Sequence, residues 1–357
     1  MGRCTSPLYR ISVGSRNFPL LTPRDQERLK NHGVFLPYDA IQAYSLKPGW
    51  CMDDVQILRC GVCLDCRLAY ARDWAIRCSL EASGHEHNYF VTLTYDDNFL
   101  PTSLDGYLDL DGEIYESTLV RRDIQLFIKS LREWERSHGN DHIKVFYCGE
   151  YGGRTGRPHF HLIVFGATEI PDLTFSFNRG DYSYYKSLTY ERFWSYKGFL
   201  RGFVDITEAS FDTIAYTARY CMKKIGGKIK KDFMDWYEEL DPGLRPQLRT
   251  QPFIGMSLKP GIAAEYFAEH HDQILKEDVV KYTKQYQLYK SKPPRYFDKL
   301  FEREDPDAFV LVKAKRKQLG IAAAANAGKL TDENYLDRLK RQADMTRERQ
   351  KKYVRDL

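Results

Sequence analysis

No stretch of the sequence approaches the ~18 consecutive apolar residues that a bilayer-crossing helix needs, and its first residues lack the apolar core of a secretory signal. Read this way, the chain is neither a membrane protein nor a secreted one, and a cytosol is its expected compartment. There, eight cysteines are thiols or metal ligands before they are disulfides. The Gly-x-x-x-x-Gly-Lys-Ser/Thr phosphate loop is absent too, since Gly226, Gly227, Lys228 and Ile229 lack its spacing. An excess of one sign of charge is lacking too: 54 Lys and Arg against 49 Asp and Glu leave a mild +5.

What is present describes a globular enzyme-sized chain. Its 357 residues, 43% hydrophobic and 29% charged, can bury a real core as one large domain or two smaller ones with extensions. Aromatics are plentiful, with 25 Tyr and 20 Phe. Rings interleaved with basic groups suit single-stranded nucleic acid, although tyrosine also fills ordinary cores.

Residues 1–55 are rich in Pro, Gly, Arg and Ser and are expected to form an irregular arm. Cys60, Cys63 and Cys66 follow at two-residue gaps, a spacing that can hold structural Zn²⁺ with Cys51, Cys78 or a histidine as fourth ligand. The same spacing serves iron–sulfur clusters, but the further cysteine followed by proline is missing. Three reduced thiols at a helix start are the plainer reading. A helix is expected over 67–82, and His85 and His87 beyond it read as a solvated turn. Residues 89–95 are a strand, 96–119 a polar loop with two Asp-Gly turns, and 120–136 an amphipathic helix.

Strands over 142–150 and 159–165 flank a glycine- and arginine-rich turn, which predicts an antiparallel hairpin. On a strand His159 and His161 share a face while Phe160 points away, and the hairpin brings Glu150 beside them. Two imidazoles and a carboxylate can bind a metal; the alternative is a half-exposed polar pair and a surface acid. The segment 181–197 carries Tyr182, Tyr184, Tyr185, Tyr190, Phe193, Trp194 and Tyr196 among basic residues, and suits either a base-stacking platform or a packed helix.

After a strand over 202–206, Asp212 and Thr213 are expected to cap a helix over 214–225. Its apolar stripe is Ile214, Ala218, Cys221 and Ile225, and Tyr216, Tyr220 and Lys223 fall on the other side. Tyr216 and Tyr220 are one turn apart. Phenols ionise near pH 10, so as nucleophiles they need an activated target, which a divalent cation makes of a phosphodiester. Two solvated tyrosines are the bland alternative. Residues 242–260 read as loop, 265–289 as helix, 290–295 as linker, and 307–357 as a basic helical tail that is either a phosphate-tracking arm or a solvated helix.

Taken together, these residues resemble the HUH endonucleases that initiate rolling-circle replication, most closely those of small circular single-stranded DNA phages of the gokushovirus (Microviridae) type. The resemblance is carried by the strand 90–95, by Pro158 to His161, by Tyr216 to Lys223, by Cys60 to Arg67, by Asp73 to Arg77 and by Met256 to Ile262. It implies an α+β fold of HUH/ferredoxin-like, RRM-like topology: a central antiparallel sheet with helices on one face, the metal on the open face and the tyrosine helix beside it. A basic helical C-terminal extension completes it. It divides the chain into an arm (1–55), an endonuclease domain (56–270) and the extension (271–357).

The function it implies is nicking of the phage origin by tyrosine transesterification, with a 5′-phosphotyrosine link and later rejoining into a circle. Tyr216 and Tyr220 would be nucleophiles, Lys223 their helper, and Glu150, His159 and His161 ligands of Mn²⁺ or Mg²⁺. Arg154, Arg157, Arg219 and Lys224 would bind DNA. The expected partners are single-stranded and origin DNA and a host helicase and replication machinery, in the host bacterial cytoplasm. Three alternatives stand beside it: a zinc-dependent nucleic-acid binder without catalysis, a relaxase of the conjugative type, and a 2-His-1-carboxylate iron oxygenase that would leave the tyrosines idle.

Overall fold

In the computed structural model, the residues described are 8–11, 34–37, 55–58, 61, 63–219, 228–284, 287–329, 341–342 and 344–348. Strands β1 (Leu8–Ile11), β2 (Val34–Pro37) and β3 (Val55–Leu58) form an antiparallel sheet in the order β2-β1-β3. Part of the expected irregular arm is therefore paired. The chain divides into two units, Met1–Ala69 with Gln318–Asp356, and Tyr70–Lys317. The larger sheet and the candidate site lie in the second.

Helix α1 (Leu64–Ala82) leads into β4 (Asn88–Tyr95). Next, β5 (Thr102–Leu108) and β6 (Ile114–Ser117) form a hairpin where a loop was expected, with Gly112 at positive φ in its turn. Helix α2 (Arg121–Ser137) precedes β7 (Lys144–Tyr151) and β8 (Pro158–Phe165), and β9 (Thr174–Arg179) and β10 (Tyr182–Lys186) follow. Then come α3 (Leu188–Phe193), the small pair β11 (Ser195–Tyr196) and β12 (Phe199–Leu200), and β13 (Gly202–Glu208). Helix α4 (Phe211–Arg219) carries Tyr216, and α5 (Lys228–Glu239) lies further on. Strand β14 (Phe253–Met256) sits inside the expected loop, because Phe253 buries its ring and its backbone pairs with β7.

Seven of these strands make one antiparallel sheet in the order β14-β7-β8-β4-β13-β10-β9. On one face Val91, Leu93, Tyr95, Phe160, Leu162, Val164, Val204 and Ile206 pack against Ile124, Phe127 and Leu131 of α2 and against Tyr190 and Trp194. Each such side chain contributes roughly 1.5–3 kcal/mol by leaving water. The resemblance implied that the other face would be open, and the structure corrects this over part of that face. Phe90, Phe146, Ile163 and Phe165 are apolar on that face as well, so α1 covers them with Trp74 and Ala75, and α4 with Ile214 and Ala218. β8 is accordingly a nearly continuous apolar run buried on both sides.

The last elements are α6 (Ala264–Glu277), the hairpin β15 (Val280–Lys284) and β16 (Gln287–Ser291), α7 (Arg295–Glu304) and α8 (Pro306–Lys329). The helix expected over 265–289 stops early because Asp278 turns left-handed (φ 51°) and Val280 and Tyr282 then alternate at strand period. Ile76, Leu80, Phe267, Ile274, Phe297, Phe301 and Phe309 form a further core there.

Candidate active site

Ser210 starts the tyrosine helix. Its hydroxyl accepts from Thr213 N–H (3.2 Å), and its own N–H donates to the Thr213 hydroxyl (2.9 Å). That reciprocal pair replaces the expected cap at Asp212 and Thr213, because the loop leaves β13 one turn earlier. Ile214 and Ala218 face the core as the wheel predicted.

The hairpin β7–β8 closes through Gly152 N–H to Arg157 O (2.9 Å) and Gly156 N–H to Gly152 O (2.8 Å), with Gly156 at φ 62°. Its register pairs Glu150 with His159 and Cys148 with His161. Glu150 Oε1 lies 2.8 Å from His159 Nε2 and 3.3 Å from His161 Nε2. The three donor atoms all lie within 4.8 Å of one another. The far nitrogens are held as well: His159 Nδ1 is 3.1 Å from Arg157 O, and His161 Nδ1 is 3.1 Å from the Thr92 hydroxyl. Burial alone would raise the Glu150 pKa, but the two imidazoles outweigh it and hold the carboxyl well below the usual range.

Two imidazole nitrogens 2.8 and 3.3 Å from one carboxylate oxygen can converge on an ion bound at ~2.1 Å. The donor set therefore suits a divalent metal, and His159 is its more solvent-exposed side.

Beside this triad stands Tyr216. Its ring meets the His161 ring edge-on, with 5.3 Å between centroids and planes at 79°. A second ring on His161 is Phe90, stacked at 5.4 Å and 14° and itself edge-on to Tyr216. Arg219 lies over the Tyr216 ring at 5.6 Å. Tyr220, Lys223, Lys224 and Cys60 lie outside the described residues. Cys63 precedes α1, and Cys66 is buried in its first turn.

Of the proposed DNA contacts, Arg154 is exposed. Arg157 is committed to the protein, donating to Tyr95 O at 3.1 and 2.9 Å and pairing with Asp97. The aromatic segment 181–197 splits between both readings. Tyr190 and Trp194 are core, whereas Tyr184 lies on the sheet surface and Tyr196 is 48% exposed.

Two residues went unnoticed in the sequence. Thr92 is one, and pairing of a strand threonine with a histidine 69 positions away leaves no local signal. Arg249 is the other, buried between the rings of Tyr115 (3.7 Å) and Tyr151 (3.6 Å). It donates to Ser117 O (3.1 Å) and Gly156 O (3.0 Å), tying the glycine turn to β6.

Comparison with known proteins gives the family of the chain. Residues 88–225, which hold the triad and both tyrosines, match the family model "Replication-associated protein ORF2/G2P". The chain is 32% identical over 304 residues to replication-associated protein ORF2 of Spiroplasma virus 4, covering 84% of each protein. The chain belongs to the phage replication-associated proteins. Other relatives are replication-associated protein ORF4 of Chlamydia phage 1 (33% over 47% of this chain and 38% of that one) and replication-associated protein VP4 of Bdellovibrio phage phiMH2K (26% over 72% and 71%). No solved structure gives a significant match. This replication-associated protein has, among its described residues, no helix long and apolar enough to cross a membrane.

Proposed function

We propose that the protein initiates rolling-circle replication by nicking single-stranded origin DNA of its phage and later rejoining the strand, as an HUH-type endonuclease. The observation that carries this reading is the edge-on contact between Tyr216 and His161, which supports it by bringing the candidate nucleophile beside the candidate metal ligands. An iron oxygenase or a purely zinc-dependent binder gives that contact no purpose.

In this reading Glu150, His159 and His161 hold a divalent cation, Mn²⁺ or Mg²⁺, which when bound polarises the scissile phosphodiester. The Tyr216 hydroxyl attacks phosphorus, the new P–O bond forms as the bond to the 3′-oxygen breaks, and the proton lost by the phenol is balanced by the one gained by the leaving 3′-hydroxyl. The product is a 5′-phosphotyrosine and a free 3′ end. Because the phosphodiester bond is exchanged rather than hydrolysed, the reverse attack reseals the strand without ATP. Tyr220, four residues on, supplies a second nucleophile for the exchange, and Lys223 adds positive charge near the leaving oxygen.

The test uses origin DNA labelled at its 3′ end, the end that stays with the enzyme, and Mn²⁺. A labelled adduct surviving denaturation is expected for wild type, with partial activity in at least one of Tyr216→Phe and Tyr220→Phe and none in the double variant. An undiminished adduct in the double variant would remove the reading.

A further inference from the structure

The sheet face that carries the triad continues past it. Across β8 and β4 His159 pairs with Thr94, and across β4 and β13 Thr94 pairs with Phe203. Directly paired residues present their side chains on one face, so Phe203 stands in the row of His159, two strands away and roughly 10 Å across. Its neighbour Val204 is fully buried in the opposite core, while the Phe203 ring is left 53% exposed.

The next strand adds a cation and more rings. Tyr185 pairs with Ile206, a residue of the opposite core, so its neighbours Tyr184 and Lys186 face the triad's side. Lys186 Nζ lies 6.0 Å from the Phe203 ring centroid. Tyr184 stacks on Phe177 of the edge strand β9 at 4.9 Å and 9°, and Phe177 is 39% exposed. Single exposed aromatics are common on protein surfaces. Here they form a series on one face, with a lysine among them, that begins in register with the candidate metal ligands. The Asp205 carboxylate lies on this face between Thr92 and Lys186, so what fits against Phe203 is a base ring rather than a phosphate. Base faces on aromatic rings with phosphates on neighbouring cations are how unpaired strands are held, and a duplex hides those faces.

We propose that Phe203 is a base-stacking position on a single-stranded DNA track leading from the metal triad across β13 and β10 to the sheet edge, with Lys186 meeting a phosphate and the Tyr184–Phe177 pair a further base. The placement of the cut at one end of this track rests on the nicking reading above.

Anisotropy of a fluorescent oligothymidylate of about 16 nucleotides, measured in EDTA with full-length protein, separates the two ideas. Phe203→Leu should weaken binding roughly 5- to 100-fold, Phe203→Trp should restore it, and a Phe177→Ala variant should show a smaller loss. Far-ultraviolet circular dichroism and thermal unfolding verify that each variant is folded. Single-strand affinity unchanged in Phe203→Leu, or a wild type that binds no single strand, would overturn the proposal. Wild-type adduct formation is scored separately. An adduct with no Phe203 effect leaves the nicking reading standing alone, and a Phe203 effect with no adduct leaves the track standing alone.

Discussion

The Thr92 hydroxyl and His161 Nδ1 are 3.1 Å apart, on paired positions of β4 and β8. That contact fixes which imidazole nitrogen turns toward Glu150. Thr92→Val keeps the shape and removes the hydroxyl, so Mn²⁺ affinity should fall roughly 10- to 100-fold while the fold persists. Thr92→Ser should recover most of it. Isothermal titration with Mn²⁺ gives the answer, and an unaltered affinity in Thr92→Val would sever this link.

Metal binding should register in stability as well. Glu150 is buried with both imidazoles turned to the same oxygen, and only the folded chain assembles the three donors. A ligand at about 100 times its dissociation constant adds roughly 2.7 kcal/mol to the folded state. Mn²⁺ should therefore raise the melting temperature of wild type and leave that of Glu150→Gln where it was. An equal rise in both proteins would show that the ion binds elsewhere.

The triad was legible in the sequence because a hairpin brings close together residues that are near in the chain. His159, His161 and Glu150 lie within 12 positions, and strand alternation alone sets their faces. The Ile214 and Ala218 stripe was legible from the wheel, but the wheel set Tyr216 opposite it, whereas the Tyr216 ring reaches Phe90 and His161 beside the same core. Contacts made across the sheet were not. Thr92, Phe203 and Arg249 derive their places from strand order and from a long connection that carries β14, and neither has a local pattern. The covered metal-side face was missed because apolar residues at 90, 146, 163 and 165 alternate with apolar residues facing the other way, so no polar side showed.

Arg249 offers a sharper test of the hairpin. Its guanidinium fork bonds two carbonyls, one at the end of β6 and one in the glycine turn, while stacked between two rings. Lysine has the charge without the planar fork. Arg249→Lys should cost about 2–4 kcal/mol in urea unfolding and loosen metal binding, since Gly156 lies three residues before His159. Retention of wild-type stability by the lysine variant would mean that the turn holds itself.

Acid should weaken the protein through Glu81. Its buried carboxylate takes Lys144 Nζ at 2.8 Å, His85 Nε2 at 2.9 Å and the Ala263 N–H. Burial alone would raise its pKa; the hydrogen bonds from His85, Lys144 and Ala263 prevail and lower it from 4.5. The folded chain thus binds this proton more weakly than the unfolded one. The resulting stability is complete above pH 4.5 and fades as pH drops through the lower folded value. Glu81→Gln leaves Lys144, itself 4% exposed, with only the half-exposed Glu265 at 2.6 Å. At pH 7 the variant should lose roughly 3–5 kcal/mol, the usual cost of breaking a buried pair. Between about pH 5 and 3 its stability should fall less steeply than that of wild type, because the proton it would have taken up is no longer at issue. Urea titrations of both proteins across that range decide it, and parallel acid slopes would assign the loss to other carboxylates.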